Sequence, residues 1–266
     1  MNEVSGILIK EKSSKGILRL TMNNLDQKNA LSENMISILK HELEDVSTDQ
    51  SIRVIVLAAN GNVFCSGHDL KEITSARENE DNGHAFFKRL FDHCSKLMQL
   101  IVNSPQPVIA EVDGIATAAG CQLIASCDLA YASNKAKFAT PGVNIGLFCS
   151  TPMVALSRNV NKKSAMEMLL TGEMINANKA RQIGLINDIF SSNQLMKKAI
   201  KVAKKISSKS MATLKIGKNA FYKQREMSIE EAYNYTSAVM VENMLKNDSK
   251  EGINAFLEKR KPNWGN

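Results

Sequence analysis

Gly114-Ile115-Ala116-Thr117-Ala118-Ala119-Gly120-Cys121-Gln122-Leu123 breaks the pattern of the chain around it. It follows a β-branched run, Val108-Ile109-Ala110-Glu111-Val112, with Asp113-Gly114 as the turn signal between them. Its tiny residues open what reads as a helix over residues 121–126. Small side chains let a ligand approach the backbone, and a helix N-terminus offers unpaired N–H groups to negative charge. A second stretch, Val63-Phe64-Cys65-Ser66-Gly67-His68-Asp69-Leu70, runs from an apolar strand into a glycine turn with polar residues behind it. Two N–H groups from such turns, converging on one point, would stabilise an enolate, each donor lowering the barrier by about 2.7–4 kcal/mol. For either stretch alone the alternative is a tight turn packed against a strand, since a single glycine loop is weak evidence of a site.

Outward from these stretches, short strands alternate with helices. Gly16-Ile17-Leu18-Arg19-Leu20-Thr21-Met22 alternates apolar and polar residues as a half-buried strand does. From the N-cap residue Ser32, Met35, Ile36, Leu39, Leu43 and Val46 recur on one helical face. Val54-Ile55-Val56-Leu57 reads as a buried strand. Phe87, Leu90, Phe91, Cys94, Leu97, Met98 and Ile101 form a longer helical stripe. After Phe190 the pattern is helical, over residues 195–206, 213–221, 228–245 and 248–259. Ser228-x-x-Glu231 and Asp248-x-x-Glu251 read as capping boxes. The apolar stripe of Ala232, Tyr235, Val239, Met240 and Met244 must pack on the core or on another subunit. The pattern predicts an α/β core over residues 1–190 and a helical subdomain over 191–266.

Composition narrows the classes. With 266 residues, 44% apolar and 23% charged, the chain is an ordinary soluble globular protein. Its longest apolar runs are too short for a bilayer span, so no membrane insertion is expected, and its start does not read as a secretory signal. Five cysteines without a Cys-x-x-Cys pattern point to a reducing compartment, and four scattered histidines imply no metal. The net charge is +7, but the densest basic run (Lys197, Lys198, Lys201, Lys204, Lys205 and Lys209) has the spacing of a wet helix face. Aromatic residues make up only 5%, which argues against a nucleic-acid surface. A basic chain also suits a polyanionic small molecule.

Eight motifs, in order, resemble those of the crotonase (enoyl-CoA hydratase/isomerase) superfamily. They are Asn29-Ala30-Leu31-Ser32, Phe64-Cys65-Ser66-Gly67-His68-Asp69-Leu70, Ala119-Gly120-Cys121-Gln122-Leu123, Cys127-Asp128, Phe138-Ala139-Thr140-Pro141, Leu170-Thr171-Gly172, Ala180-x-x-x-Gly184-Leu185 and Phe256-Leu257-Glu258-Lys259-Arg260. The segments 118–122 and 141–150 are similar to the subgroup called enoyl-CoA hydratase domain-containing protein 3. The resemblance implies an α/β fold, a spiral of β-β-α turns with a C-terminal helical subdomain that drives trimers, often paired into hexamers. It implies an acyl-CoA thioester substrate, with coenzyme A as part of the substrate and no separate cofactor. The acyl carbonyl would be held by the backbone N–H groups of His68 and Ala119, with Gly120 beside them. The nucleotide portion would lie along Lys28, Asn29 and Ala30 and along Ser66, Gly67, Asp69, Leu70 and Lys71. The expected location is the cytoplasm of a bacterium or, behind a removed leader, the mitochondrial matrix.

The chain departs from this pattern at two positions. Where a hydratase of the superfamily carries two glutamates, Gln122 and Gly142 stand here. An amide has no proton-transfer pKa near neutrality and glycine has no side chain, so a general acid–base contribution of about 10²–10⁴-fold is forfeited. His68 either turns its imidazole to the substrate or contributes only its N–H; Gly-His-Asp also occurs in methylmalonyl-CoA decarboxylases of the superfamily. Asp69 reads as a loop brace, Cys149 as a buried thiol, and Ser150 and Thr151 as further polar atoms near the turn. Glu111 is left on an unassigned strand face. Two functions follow: enolate-forming chemistry such as decarboxylation in place of hydration, or non-catalytic binding of an acyl-CoA ester.

Overall fold

The structure, a computed structural model, describes residues 2–265. The β-branched runs form a seven-stranded sheet. Its five parallel strands are β3 (Ile17–Met22), β4 (Val54–Ala59), β6 (Val108–Val112), β8 (Leu129–Ser133) and β11 (Asp188–Phe190). A hairpin, β1 (Asn2–Ser5) and β2 (Leu8–Lys12), extends it antiparallel at the β3 edge. Ile17 lies opposite Val54, Ile55 opposite Val108 and Ile109 opposite Leu129.

A second sheet of four strands has the order β10-β9-β7-β5, with β5 (Val63–Cys65), β7 (Ile115–Thr117) and β9 (Lys137–Ala139) parallel and β10 (Ile175–Asn176) antiparallel at the edge. Successive strand pairs, β4–β5, β6–β7 and β8–β9, place one member in each sheet and are followed by helices. This is the expected β-β-α spiral.

Both faces of the large sheet are covered, as a parallel sheet requires. Alternation along β4 sends Ile55 and Leu57 into the main core, where they meet α1 (Glu33–Thr48), α3 (His84–Asn103) and α4 (Ala119–Ser126). Val54 and Val56 point the other way, with Ile17, Ile109 and Ala203 of α8 (Ser192–Ser207). On α8, Leu195, Ala199 and Ala203 are buried, while Lys197, Lys201, Lys204 and Lys205 face solvent, the wet face expected of the basic run. Ser32 caps α1 by accepting from Met35 N.

The last helices are α9 (Met211–Gln224), α10 (Ile229–Met244) and α11 (Asn247–Leu257). The Ser228 capping box is present, but the one expected at Asp248 is not. Lys246 precedes α11, Asp248 accepts from Gly265 N, and Glu251 is held by Arg260 and by Asn263 N. A carboxylate already engaged by a guanidinium does not reach back to its own helix start. The helix expected over residues 121–126 begins two residues earlier, at Ala119, because two tiny residues carry no periodic signal. On α10 no side chain is buried, and Ile229, Tyr233, Met240, Val241 and Met244 are exposed. No helix among the described residues is long and apolar enough to cross a membrane.

Candidate functional site

The carboxyl ends of β5, β7 and β9 lie side by side because the three strands are parallel neighbours. Each runs directly into a helical turn. β5 leads through Ser66, Gly67 and His68 to α2 (Leu70–Ala76), β7 through Ala118 to α4, and β9 through Thr140 to a 3-10 turn, Pro141–Ile145. Three helical starts, each with unpaired N–H groups, therefore gather at one edge, where open parallel sheets present their ligand sites.

Backbone conformation sets the two inner turns. Gly67 has φ +95°, and Ala118 has φ 50° and ψ −117°, a conformation that costs a residue with a side chain on the order of 1–3 kcal/mol. A β-carbon on Gly67 would sit 3.0 Å from Ala118 Cβ and 3.6 Å from Ala119 N, so the turns abut. One on Gly120 would sit 2.3 Å from the Cys65 carbonyl oxygen, so only glycine lets α4 seat against β5. Thr117 Oγ1 donates to the Ser66 carbonyl at 2.9 Å, and Ala118 N donates to the Ala139 carbonyl at 2.9 Å. Among the described residues the N–H groups of His68 and Ala119 have no acceptor within the chain.

His68 is half-buried. Its Nδ1 is 3.3 Å from the Leu31 carbonyl oxygen, its edge meets the Phe91 ring at 5.3 Å between centroids, and Nε2 has no partner. Burial holds the imidazole below its ordinary 6.5, so it is neutral at pH 7. Asp69 is committed to α2, accepting from Lys71 N at 2.8 Å. It braces the loop.

The loop of Lys28, Asn29 and Ala30 borders this turn: Ser66 N donates to the Lys28 carbonyl at 3.3 Å and Leu31 N to the Gly67 carbonyl at 2.8 Å. The buried Asn29 amide is fully used, accepting from Asn24 N and donating to the carbonyls of Asn60 and Val63 at 2.8–2.9 Å. Asn29 therefore shapes the loop and has no side-chain atom to spare. Lys28, Leu70 and Lys71 are exposed and Ala30 is buried.

Gln122 is 4% exposed, and its Oε1 is buried without a partner. It lines a groove of about 1020 Å³ walled by α1, α3, α4, α5 (Ser150–Asn159) and α9. Gly142 is enclosed: a β-carbon there would stand 2.6 Å from the Leu147 carbonyl oxygen and 2.9 Å from Cys149 Sγ. The chain returning to α5 fills the space a side chain would need. Burial raises the Cys149 thiol, only partly opposed by the Gly142 N–H, and pushes Cys121 up to about 12, so both stay protonated. Ser150 is exposed and Thr151 lines the groove.

Glu111 is far from this chemistry. It shares the α8 side of β6 with Ile109, and the Arg19 guanidinium holds it at 2.7 and 3.4 Å. Two residues of the quoted motifs, Thr140 and Asp128, receive no role from the sequence. Thr140, in the turn after β9, has a buried hydroxyl without a partner. Asp128 receives Val108 N at 2.7 Å, Lys218 Nζ at 2.7 Å and Tyr222 OH at 3.0 Å, fastening α9 along the groove. Among the described residues no group of three or more metal-ligating side chains occurs. The free donors on the turns after β5 and β7 include the backbone N–H groups of His68 and Ala119.

The comparisons with known proteins agree with this architecture. The model of the enoyl-CoA hydratase/isomerase family matches residues 12–266, and the chain belongs to that family. It is 47% identical to human mitochondrial enoyl-CoA hydratase domain-containing protein 3 over 94% of this chain and 80% of that one. The Xenopus laevis protein of the same name is 49% identical over 94% of this chain and 83% of that one. The crystal structure of the human protein superposes with a TM-score of 0.92 at 45% identity, covering 97% of this chain and 100% of the other. An enoyl-CoA hydratase from Mycobacterium smegmatis gives 0.93 at 44% identity, covering 98% and 99%. The subgroup resemblance of the sequence is thereby borne out.

Proposed function

We propose that the chain binds an acyl-CoA thioester, holds its carbonyl between the N–H groups of His68 and Ala119, and supports an enolate-forming step other than ordinary hydration. The carrying observation is the pair of abutting turns, fixed by Gly67, Ala118 and Gly120, whose two N–H groups have no acceptor among the described residues. Preorganised donors of this kind act where charge develops, with no reorganisation during the step. The loop of Lys28, Asn29 and Ala30 beside Ser66–Lys71 is the proposed path of the nucleotide, with Lys28 exposed for phosphate and coenzyme A arriving as part of the substrate.

The environment of Gln122 and Gly142 supports the departure from hydration. An amide replaces one proton-transfer group, and the space for the other is occupied by Leu147 and Cys149. Loss of carbon dioxide from a malonyl-type thioester needs no base. The C–C bond breaks, its electron pair enters the enolate, and a proton then adds to the α-carbon. The neutral His68 imidazole, with Nε2 unpaired, is a titratable group on these turns.

The same lack of carboxylates favours a second reading, an acyl-CoA binder without turnover. A panel of enoyl-, malonyl- and hydroxyacyl-CoA esters, followed by mass spectrometry, separates the two: turnover supports the first reading, and tight binding without product the second. Crotonyl-CoA hydration by the wild type at an ordinary enzymatic rate would sink the exclusion of hydration. The uncovered apolar side of α10 supports assembly into trimers or paired trimers, and light scattering showing a monomer at micromolar concentration would contradict it. The mitochondrial names of the relatives fit a matrix location, and a bacterial cytoplasm fits the same chemistry.

A further inference from the structure

Charge is spread unevenly along the chain. Residues 191–210 hold six lysines (Lys197, Lys198, Lys201, Lys204, Lys205 and Lys209) and no Asp or Glu, so six of the seven units of net positive charge sit in this segment. All but Lys209 belong to α8. The other side of α8 is packed on the large sheet through Ile200, Val202, Ala203 and Ile206, which fixes the lysines outward. Lys197, Lys201, Lys204, Lys205 and Lys209 are exposed, and Lys198 lies over the Phe190 ring at 5.5 Å. Arg53 adds its guanidinium at the end of the helix, donating to the Ser207 and Lys209 carbonyls at 2.8 and 2.7 Å. Lys197, Lys201 and Lys205 are four residues apart, a like-charge spacing that destabilises a helix. Elsewhere the chain relieves such charges with carboxylates, Lys88 with Asp92 and Lys12 with Asp49. Among the described residues none of the six lysines has a carboxylate partner.

We propose that this face of α8 docks the protein on an anionic lipid bilayer, peripherally and without insertion. No α8 residue lines the groove beside Gln122, so the lysines do not surround a recess for a small anion. From Lys197 to Lys205 the row runs about 12 Å at 1.5 Å per residue, a line of cations suited to a plane of charge. Each cation is an ammonium, a hydrated point charge, whereas bidentate capture of a single phosphate favours arginine. Nucleic acid fits less well, because α8 carries no aromatic side chain on which a base could stack. Lysines held near an anionic leaflet add their attractions, and the pull fades within a Debye length. The apolar residues of α8 are already used by the sheet, so the attachment is electrostatic and reversed by salt. It is independent of the acyl-CoA reading.

Sedimentation with vesicles reads the proposal. At low salt the full-length protein is expected to pellet with phosphatidylcholine vesicles containing about one-third phosphatidylglycerol, and to stay in solution with phosphatidylcholine alone. Raising the salt to about 1 M, where the Debye length is about 3 Å, should lower the partition coefficient by roughly tenfold or more. The Lys197→Gln, Lys201→Gln, Lys204→Gln triple variant should lose about as much at low salt, roughly tenfold or more. Glutamine matches lysine in helix propensity, and the salt comparison needs no variant, so unfolding cannot imitate the result. Equal partition onto both kinds of vesicle, or binding to the anionic ones that survives in the triple variant, overturns the proposal. Tighter binding to a duplex oligonucleotide than to the anionic vesicles, lost in the same variant, overturns the lipid assignment in favour of nucleic acid.

Discussion

Replacing Gly142 by alanine tests whether the second hydratase position is merely empty or is filled. The new β-carbon would lie 2.6 Å from the Leu147 carbonyl oxygen, 2.9 Å from Cys149 Sγ and 3.3 Å from the Leu147 carbonyl carbon. Carbon atoms rest comfortably at about 3.5–4.0 Å, so the returning chain would have to retreat by roughly 0.5–1 Å. That retreat strains the bond from Leu147 N to the Gly142 carbonyl, now 2.9 Å, and displaces Cys149 from the start of α5. Overpacking of this kind costs about 1–3 kcal/mol. For a chain of this size the melting temperature should fall by roughly 3–10 °C. Gly142 does not have a positive φ, so the penalty is one of contact and not of backbone conformation. Equilibrium urea unfolding would measure it, and Gly142→Glu should lose at least as much without gaining hydration. Stability of Gly142→Ala within about 0.3 kcal/mol of the wild type, well below the overpacking range, would refute the reasoning.

Other consequences can be measured in the same way. Lys218→Met should cost about 3 kcal/mol in urea unfolding, because it removes the cation paired with the largely buried Asp128 carboxylate. Ala118→Gly should stabilise the chain by roughly 0.5–1 kcal/mol, relief of the φ 50°, ψ −117° conformation outweighing glycine's entropy, and a loss on substitution would contradict that assignment. Burial lowers the folded-state pKa of His68, so below pH 6.5 the unfolded chain takes up this proton first. The stability due to the neutral ring is therefore complete above pH 6.5 and declines as the pH falls toward the folded value, by at most about 1.4 kcal/mol per unit. His68→Gln should flatten that part of the stability profile.

The parts of the fold that were legible in the sequence are those written in side-chain periodicity. Ile17 to Met22, Val54 to Leu57 and the stripes from Met35 and Leu90 appear as the expected strands and helices because burial repeats every two or three to four residues. The position of Phe91 shows the limit of such patterns. It continues the α3 stripe on paper, yet it is 39% exposed and its ring meets His68. At the site, residue types singled out the turns after β5 and β7, but the state of each side chain depended on distant partners. Asn29 is consumed by Asn60 and Val63, and Gly142 is enclosed by a loop that doubles back from Leu147. No local pattern encodes either. The groove was illegible altogether, since its walls come from five helices spread over much of the chain.

Asp128 also orders events in time. Its carboxylate accepts from Val108 N, 20 residues away, and from Lys218 and Tyr222, 90 and 94 residues away. Lys218 also donates to the carbonyls of Ile101 and Gln106, so its socket consists of atoms that come together only when the end of α3 meets the start of β6. Closing so long a loop costs entropy that is recovered only at a finished seat. The docking of α9 is thus expected to come late in folding. A chain with a misassembled sheet would leave Lys218 in water and its C-terminal helices undocked, exposed to proteases that spare the completed molecule.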